Sequence, residues 1–130
     1  MQNIPDFILF DDDHVNNTLC YITIRNTFKG ASIKTFTVPK KGLQYISTEY
    51  HNKPGKSAIL FLDINMAGIT CWEFLENFEK FDEKIKDKFK IYILTASFSP
   101  VDKERAASNK NVVDYIEKPL TTKKLKNIVF

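Results

Sequence analysis

The sequence has no apolar run approaching the roughly 20 residues that a membrane-spanning helix requires, so no membrane partner is expected. Its first residues, Met1 to Asp6, hold no basic group and no long apolar stretch, and therefore carry no signal-peptide pattern. Cysteine is scarce. Cys20 and Cys71 are the two thiols and lack CxxC spacing, which gives no metal-binding pattern and fits two reduced thiols in the cytoplasm. Charge imbalance is slight as well. The net charge of +3 is too small to hold nucleic acid by bulk electrostatics. The lysines are spread out, with Lys40-Lys41 and Lys123-Lys124 as pairs rather than blocks. No basic cluster interleaves with Trp72 or the eleven phenylalanines, so these read as core and not as a base-stacking platform. Repeats, low-complexity tracts and linkers are absent too. One domain over residues 1–130 is expected, with no output domain after the last helix.

What is present is alternation. Phe7 to Phe10 is a short apolar run ending in Asp11-Asp12-Asp13. Ala58 to Leu62 ends in Asp63, Ile91 to Leu94 ends in Thr95, and Val112 to Ile116 ends in Glu117-Lys118-Pro119. Runs of this length fit strands covered on both faces, as in a parallel sheet. Ser32 to Val38 alternates, as a less buried strand would. Helical patterns lie between these runs. Asn16 to Phe28 places Leu19, Ile22, Thr23 and Asn26 at helical spacing, and Pro39 opens a second helix to about Tyr50 with Leu43 and Ile46 inward. Trp72, Leu75, Phe78 and Glu79 share a face of a third. Pro100 opens a fourth to Ser108, and Thr121 caps a fifth with Leu125 and Ile128 inward. Five strand–helix units predict an α/β fold, a doubly wound five-stranded parallel sheet.

In such sheets the functional crevice lies at the carboxyl ends of the strands. There the runs deliver Asp11, Asp12, Asp13, Asp63, Thr95 and Lys118. Carboxylates converging without compensation repel, so the group calls for a cation. An all-oxygen donor set favours a hard divalent ion such as Mg²⁺. A lysine and a threonine hydroxyl beside it suit phosphoryl transfer to a carboxylate, because both can donate to phosphoryl oxygens.

Four segments together resemble the response-regulator receiver family: Ile8-Leu9-Phe10-Asp11-Asp12-Asp13, Leu60-Phe61-Leu62-Asp63-Ile64-Asn65-Met66, Ile93-Leu94-Thr95-Ala96-Ser97 and Tyr115-Ile116-Glu117-Lys118-Pro119-Leu120. They stand in order and cover nearly the whole chain. The resemblance implies a flavodoxin-like receiver fold and a stand-alone regulator like those of chemotaxis. It implies Asp63 as phospho-acceptor, Asp11 and Asp12 with Asp63 as Mg²⁺ ligands, and the backbone carbonyl of Asn65 as a further ligand. It also implies Thr95 and Lys118 as phosphoryl-oxygen ligands, and Tyr115 as the aromatic that moves with Thr95. Ala96 would keep the site open, and the Lys118-Pro119 bond would be cis. A sensor histidine kinase or phosphotransfer protein would donate the phosphoryl group. A downstream protein would read the surface formed by the fourth helix, fifth strand and fifth helix. Such a chain is not an enzyme beyond self-phosphorylation from small donors and autodephosphorylation.

The chain departs from the family after Asp63. Met66-Ala67-Gly68-Ile69-Thr70-Cys71 replaces the usual Met-Pro-Gly-Met-Asp-Gly, which bears on loop shape and partner fit. Asp13 is expected at the rim of the site, and His14 and His51 as solvated loop residues. Two rival readings remain. One is a phosphatase of the haloacid-dehalogenase type with Asp11 as nucleophile, since Asp11-Asp12-Asp13-His14-Val15 satisfies DxDxV. It lacks an acidic motif after Lys118 and room for a cap. The other is a degenerate receiver that only binds protein, against which neither the acceptor nor the lysine is lost.

Overall fold

The computed structural model describes residues 4–50, 57–66, 68–96 and 99–130. The expectations on His51, Ala67 and Ser97 fall outside these. The chain runs β1 (Asp6–Phe10), α1 (His14–Thr27), β2 (Ile33–Phe36), α2 (Pro39–Thr48), β3 (Ala58–Leu62), α3 (Cys71–Glu79), α4 (Glu83–Lys86), β4 (Phe89–Thr95), α5 (Pro100–Ser108), β5 (Val112–Glu117) and α6 (Thr122–Val129). All strand pairs are parallel and the order is β2-β1-β3-β4-β5. The doubly wound parallel sheet expected from the alternation is therefore present, in the flavodoxin-like arrangement that the resemblance implies.

Period-two alternation assigns the central strands to two cores. Ile8, Phe10, Leu60, Leu62, Ile91 and Ile93 face α2, α3 and α5. Phe7, Leu9, Ile59, Phe61, Tyr92 and Leu94 face α1 and α6, where Ile24, Phe28 and Leu125 close over them. β1 and β3 are buried along their whole length. The Val112–Glu117 run is the exception among the apolar runs. It lies at the sheet edge, where Val113 stays 55% exposed, so its continuous apolar character does not reflect cover on both faces.

Helix ends follow local chemistry. Asp13 caps α1, its carboxylate accepting from Val15 N at 2.9 Å. Thr70 and Glu73 form a capping box at α3, so the altered loop still ends in a helix start. Gly68 there sits at φ +93°, a left-handed value that glycine adopts without a Cβ penalty. Two helical expectations differ from the structure. α1 buries Asn17 and Ile24, while Leu19 and Ile22 are exposed; the inward stripe is polar at one position, which hid it from an apolar pattern. The short α4 was not expected, because Ile85 is its one apolar residue. Ile85 packs against the core, and Lys86 lies 3.0 Å from Glu83 and 3.3 Å from Glu79.

α2 approaches β1 closely at Gly42, where a Cβ would overlap the Phe10 ring. Gly42→Ala should therefore destabilise the protein by about 2 kcal/mol, because steric strain in a packed core outweighs the better helix propensity of alanine. Urea unfolding of the two proteins checks this.

Candidate functional site

The site is a continuation of the sheet ladder by one residue at the carboxyl end. Asp11 N donates to Phe36 O at 3.2 Å, Asp63 N to Phe10 O at 3.0 Å, and Lys118 N to Thr95 O at 2.9 Å. These terminal rungs bring Asp11, Asp63, Thr95 and Lys118 to one edge. Carboxylate oxygens of Asp11, Asp12 and Asp63 lie within 4.8 Å of one another. Lys118 Nζ is 2.7 Å from Asp11 Oδ2 and 3.6 Å from Asp63 Oδ2. The three side chains of this ion-paired group are mostly buried, at 14% exposure for Lys118, 9% for Asp11 and 14% for Asp63.

The remaining valences are filled by the chain itself. Asp11 Oδ1 accepts from Asp13 N at 2.9 Å, and Asp63 Oδ1 from Ile64 N at 2.9 Å. The buried Thr95 hydroxyl lies close enough to the Asp63 carboxyl to act to lower its value. Burial pushes the Asp63 carboxyl above its usual value, against the pull of Lys118. Burial acts to lower Lys118, but its hydrogen bond to Asp11 and the nearby Asp63 and Asp11 charges leave it raised overall. The ammonium thus compensates carboxylates that would otherwise repel one another.

The chain matches the family model for the response regulator receiver domain over residues 7–130. The chain belongs to the response-regulator receiver family. A two-component response regulator from Cytophaga hutchinsonii is 31% identical, with a TM-score of 0.87 over 98% of this receiver and 95% of that chain. A response regulator receiver protein from Dyadobacter fermentans is 20% identical, with a TM-score of 0.87 over 96% and 94%. The chemotaxis response regulator CheY4 of Vibrio cholerae is 17% identical, with a TM-score of 0.73 over 97% and 96%; at that identity it supports the fold alone. No protein of curated function matches significantly. The family match sets aside the phosphatase reading.

Receivers bind Mg²⁺ at an acidic site, and in this receiver the three carboxylates suit it. They are hard oxygen donors close enough to share one ion. Asp12 is exposed at the mouth. Asn65 is exposed in the loop after β3, and its part as a ligand rests on the resemblance. Asp13 serves as the cap of α1. Tyr115 is half-buried on β5, in register with Ile93, and packs on the core that includes Ala106 of α5. The Lys118-Pro119 peptide is cis. Lys124 of α6 anchors the loop after Lys118, donating to Glu117 O at 2.7 Å and Pro119 O at 3.1 Å. Asn17 is the buried polar residue beside the site that sequence reasoning missed. Its signal is faint: a second Asn at the end of a first helical turn, where a better helix former would ordinarily stand.

Cys20 lies near Lys118 and Asp11, yet burial pushes its thiol up to about 11, and that of Cys71 to about 12. Both are poor nucleophiles at neutral pH, consistent with packing roles.

Proposed function

We propose that this receiver accepts a phosphoryl group on Asp63 from a sensor histidine kinase or phosphotransfer protein and changes its affinity for a downstream protein. The observation that carries the reading is the surroundings of Asp63. It follows a fully buried central strand, lies beside the Thr95 hydroxyl and 3.6 Å from Lys118, and shares a 4.8 Å cluster with Asp11 and Asp12. In the reaction an Asp63 oxygen forms a bond to phosphorus as the bond from phosphorus to the donor histidine nitrogen breaks, and the nitrogen keeps the electron pair. Lys118 and Thr95 donate to phosphoryl oxygens. Mg²⁺ held by Asp11, Asp12, Asp63 and the Asn65 carbonyl supplies charge neutralisation. Water later cleaves the acyl phosphate, returning Asp63. Residues 7–130 form one receiver domain, which acts in the cytoplasm with no catalytic role beyond these self-reactions.

The donor is proposed to dock beside the site on α1. Leu19 and Ile22 are 57% and 48% exposed and line a groove of about 250 Å³ with Lys118, Pro119 and Leu120. Apolar side chains left open next to a reactive group suit a transient protein contact. Leu19→Glu should slow phosphotransfer from a cognate protein donor at least roughly tenfold, as loss of an interface anchor does, while labelling by acetyl phosphate is unchanged. Radiolabel time courses with both donors separate these.

The output surface is α5, β5 and α6. Phosphorylated Asp63 draws the Thr95 hydroxyl toward the phosphoryl group, and Tyr115 turns into the vacated space. Tyr115 already borders a cavity of about 210 Å³ between α5 and β5. A partner then selects one of two populations. Thr95→Ala and Tyr115→Ala should still take up phosphate on Asp63 but lose most of the phosphorylation-dependent change in partner affinity. Partner titrations with and without phosphorylation check this, and a full affinity change in Thr95→Ala would contradict it.

A further inference from the structure

Asn17, the fourth residue of α1, is 4% exposed. A buried carboxamide is costly unless its groups are hydrogen-bonded, so its partners indicate what it is for. Asn17 Nδ2 donates to the backbone oxygen of Asp11 at 2.8 Å, and it lies 3.5 Å from the oxygen of Phe36. Phe36 O is the same atom that accepts from Asp11 N. Asp11 is thus held on both sides of its Cα, its N–H by the end of β2 and its carbonyl by Asn17. That carbonyl belongs to the peptide joining Asp11 to Asp12. A peptide is a rigid plane between two soft dihedrals, so turning this plane would swing both carboxylates apart. The hydrogen bond from Asp13 N to Asp11 Oδ1 closes the turn from the other side.

We infer that Asn17 is the positioning residue of the acidic site: it fixes the Asp11–Asp12 peptide and thereby sets the affinity for the divalent cation without touching it. The inference rests on the reading that Asp11, Asp12 and Asp63 hold Mg²⁺. It concerns a residue outside the four motif segments. Groups that orient metal ligands in this indirect way change affinity by about 10- to 100-fold.

The test is calorimetric titration of MgCl₂ into the full chain. Asn17→Leu keeps the branched side-chain skeleton and removes the donor, and should weaken Mg²⁺ binding by about tenfold or more. Asn17→Ala decides in the same way if the leucine variant does not fold. Tyr50→Phe is the control for general destabilisation, since it removes the buried hydrogen bond from Tyr50 Oη to Asp6 Oδ2, 2.9 Å long, at the start of β1. It should leave Mg²⁺ affinity unchanged at a similar loss of melting temperature. In acetyl phosphate reactions the Mg²⁺ needed for half-maximal labelling should rise in Asn17→Leu, with the rate at saturating Mg²⁺ nearly retained. Wild-type affinity in the donor-less variants, or an equal loss in Tyr50→Phe, overturns the inference. A wild-type chain that binds Mg²⁺ but takes up no phosphoryl group overturns the phospho-acceptor reading instead, and the titrations still decide Asn17.

Discussion

Asp63→Asn should take up no phosphoryl group from acetyl phosphate and Mg²⁺, where the wild-type chain gains one by intact mass. The same variant should melt at a higher temperature at neutral pH. Burial raises the Asp63 carboxyl above its usual value, so the folded protein binds this proton more tightly than the unfolded chain does. Stability is then lost as pH rises from below the ordinary carboxylate range through the raised value. An amide carries no such charge. The advantage of Asp63→Asn should accordingly be present at neutral pH and vanish in acid, below about pH 4. Chemistry and stability pull in opposite directions at this residue, as expected of a group kept for its reactivity. Full labelling of the variant would remove Asp63 from its role. Scanning calorimetry across pH reads the second effect independently.

Lys118→Ala should be the most destabilising change at the site in the absence of divalent ions, by about 3 kcal/mol at neutral pH, as when one partner of a buried ion pair is removed. Lys118 Nζ is 2.7 Å from Asp11, which is itself 6% exposed, and 3.6 Å from Asp63. Without the ammonium, the carboxylates face one another with no cation. Asp63, already raised by burial, loses the pull of Lys118 and rises further, and the deficit grows as pH rises through the carboxylate range. It should shrink in acid, where they are protonated. Millimolar Mg²⁺ should recover most of the loss, since an ion that binds only the folded form stabilises it by mass action. Mg²⁺ should also bind more tightly than in the wild type, because the lysine no longer competes for Asp11. Phosphorylated Lys118→Ala should transmit poorly to a partner, having lost one phosphoryl ligand. A variant as stable as wild type without metal would show that Lys118 does not neutralise the cluster.

Much of this was legible because parallel sheets write themselves plainly. Buried strands must be apolar throughout, so the polar residue that ends each run stands out, and Asp11, Asp63, Thr95 and Lys118 were each found that way. Order along the chain then converged with the receiver motif. What escaped had physical reasons. The inward stripe of α1 contains Asn17, and a buried carboxamide looks the same in sequence as a solvated one. α4 packs a single apolar residue, Ile85, against the core, with Lys86 paired to Glu79 and Glu83, and one apolar residue makes no periodic pattern. The run from Val112 to Ile116 suggests cover on both faces where the structure has a sheet edge, since a strand's place in the sheet order is a property of topology and not of its residues.

That edge position has a consequence for how a signal is carried. Local opening costs least where few buried contacts must be broken. Asp63 hangs from β3 and Asp11 from β1, both buried throughout, whereas Tyr115 and Lys118 hang from β5, whose Val113 is open to solvent. Amide hydrogens along β1 and β3 should therefore exchange only when the whole domain opens, and those of β5 through smaller excursions. The proposed acceptor thus hangs from a rigid strand and the proposed readout from a softer one, the two joined through β4, which pairs with both β3 and β5. In the proposed reading, phosphorylation at the rigid end has little room to relax in place and should spread toward the pliable β5 end.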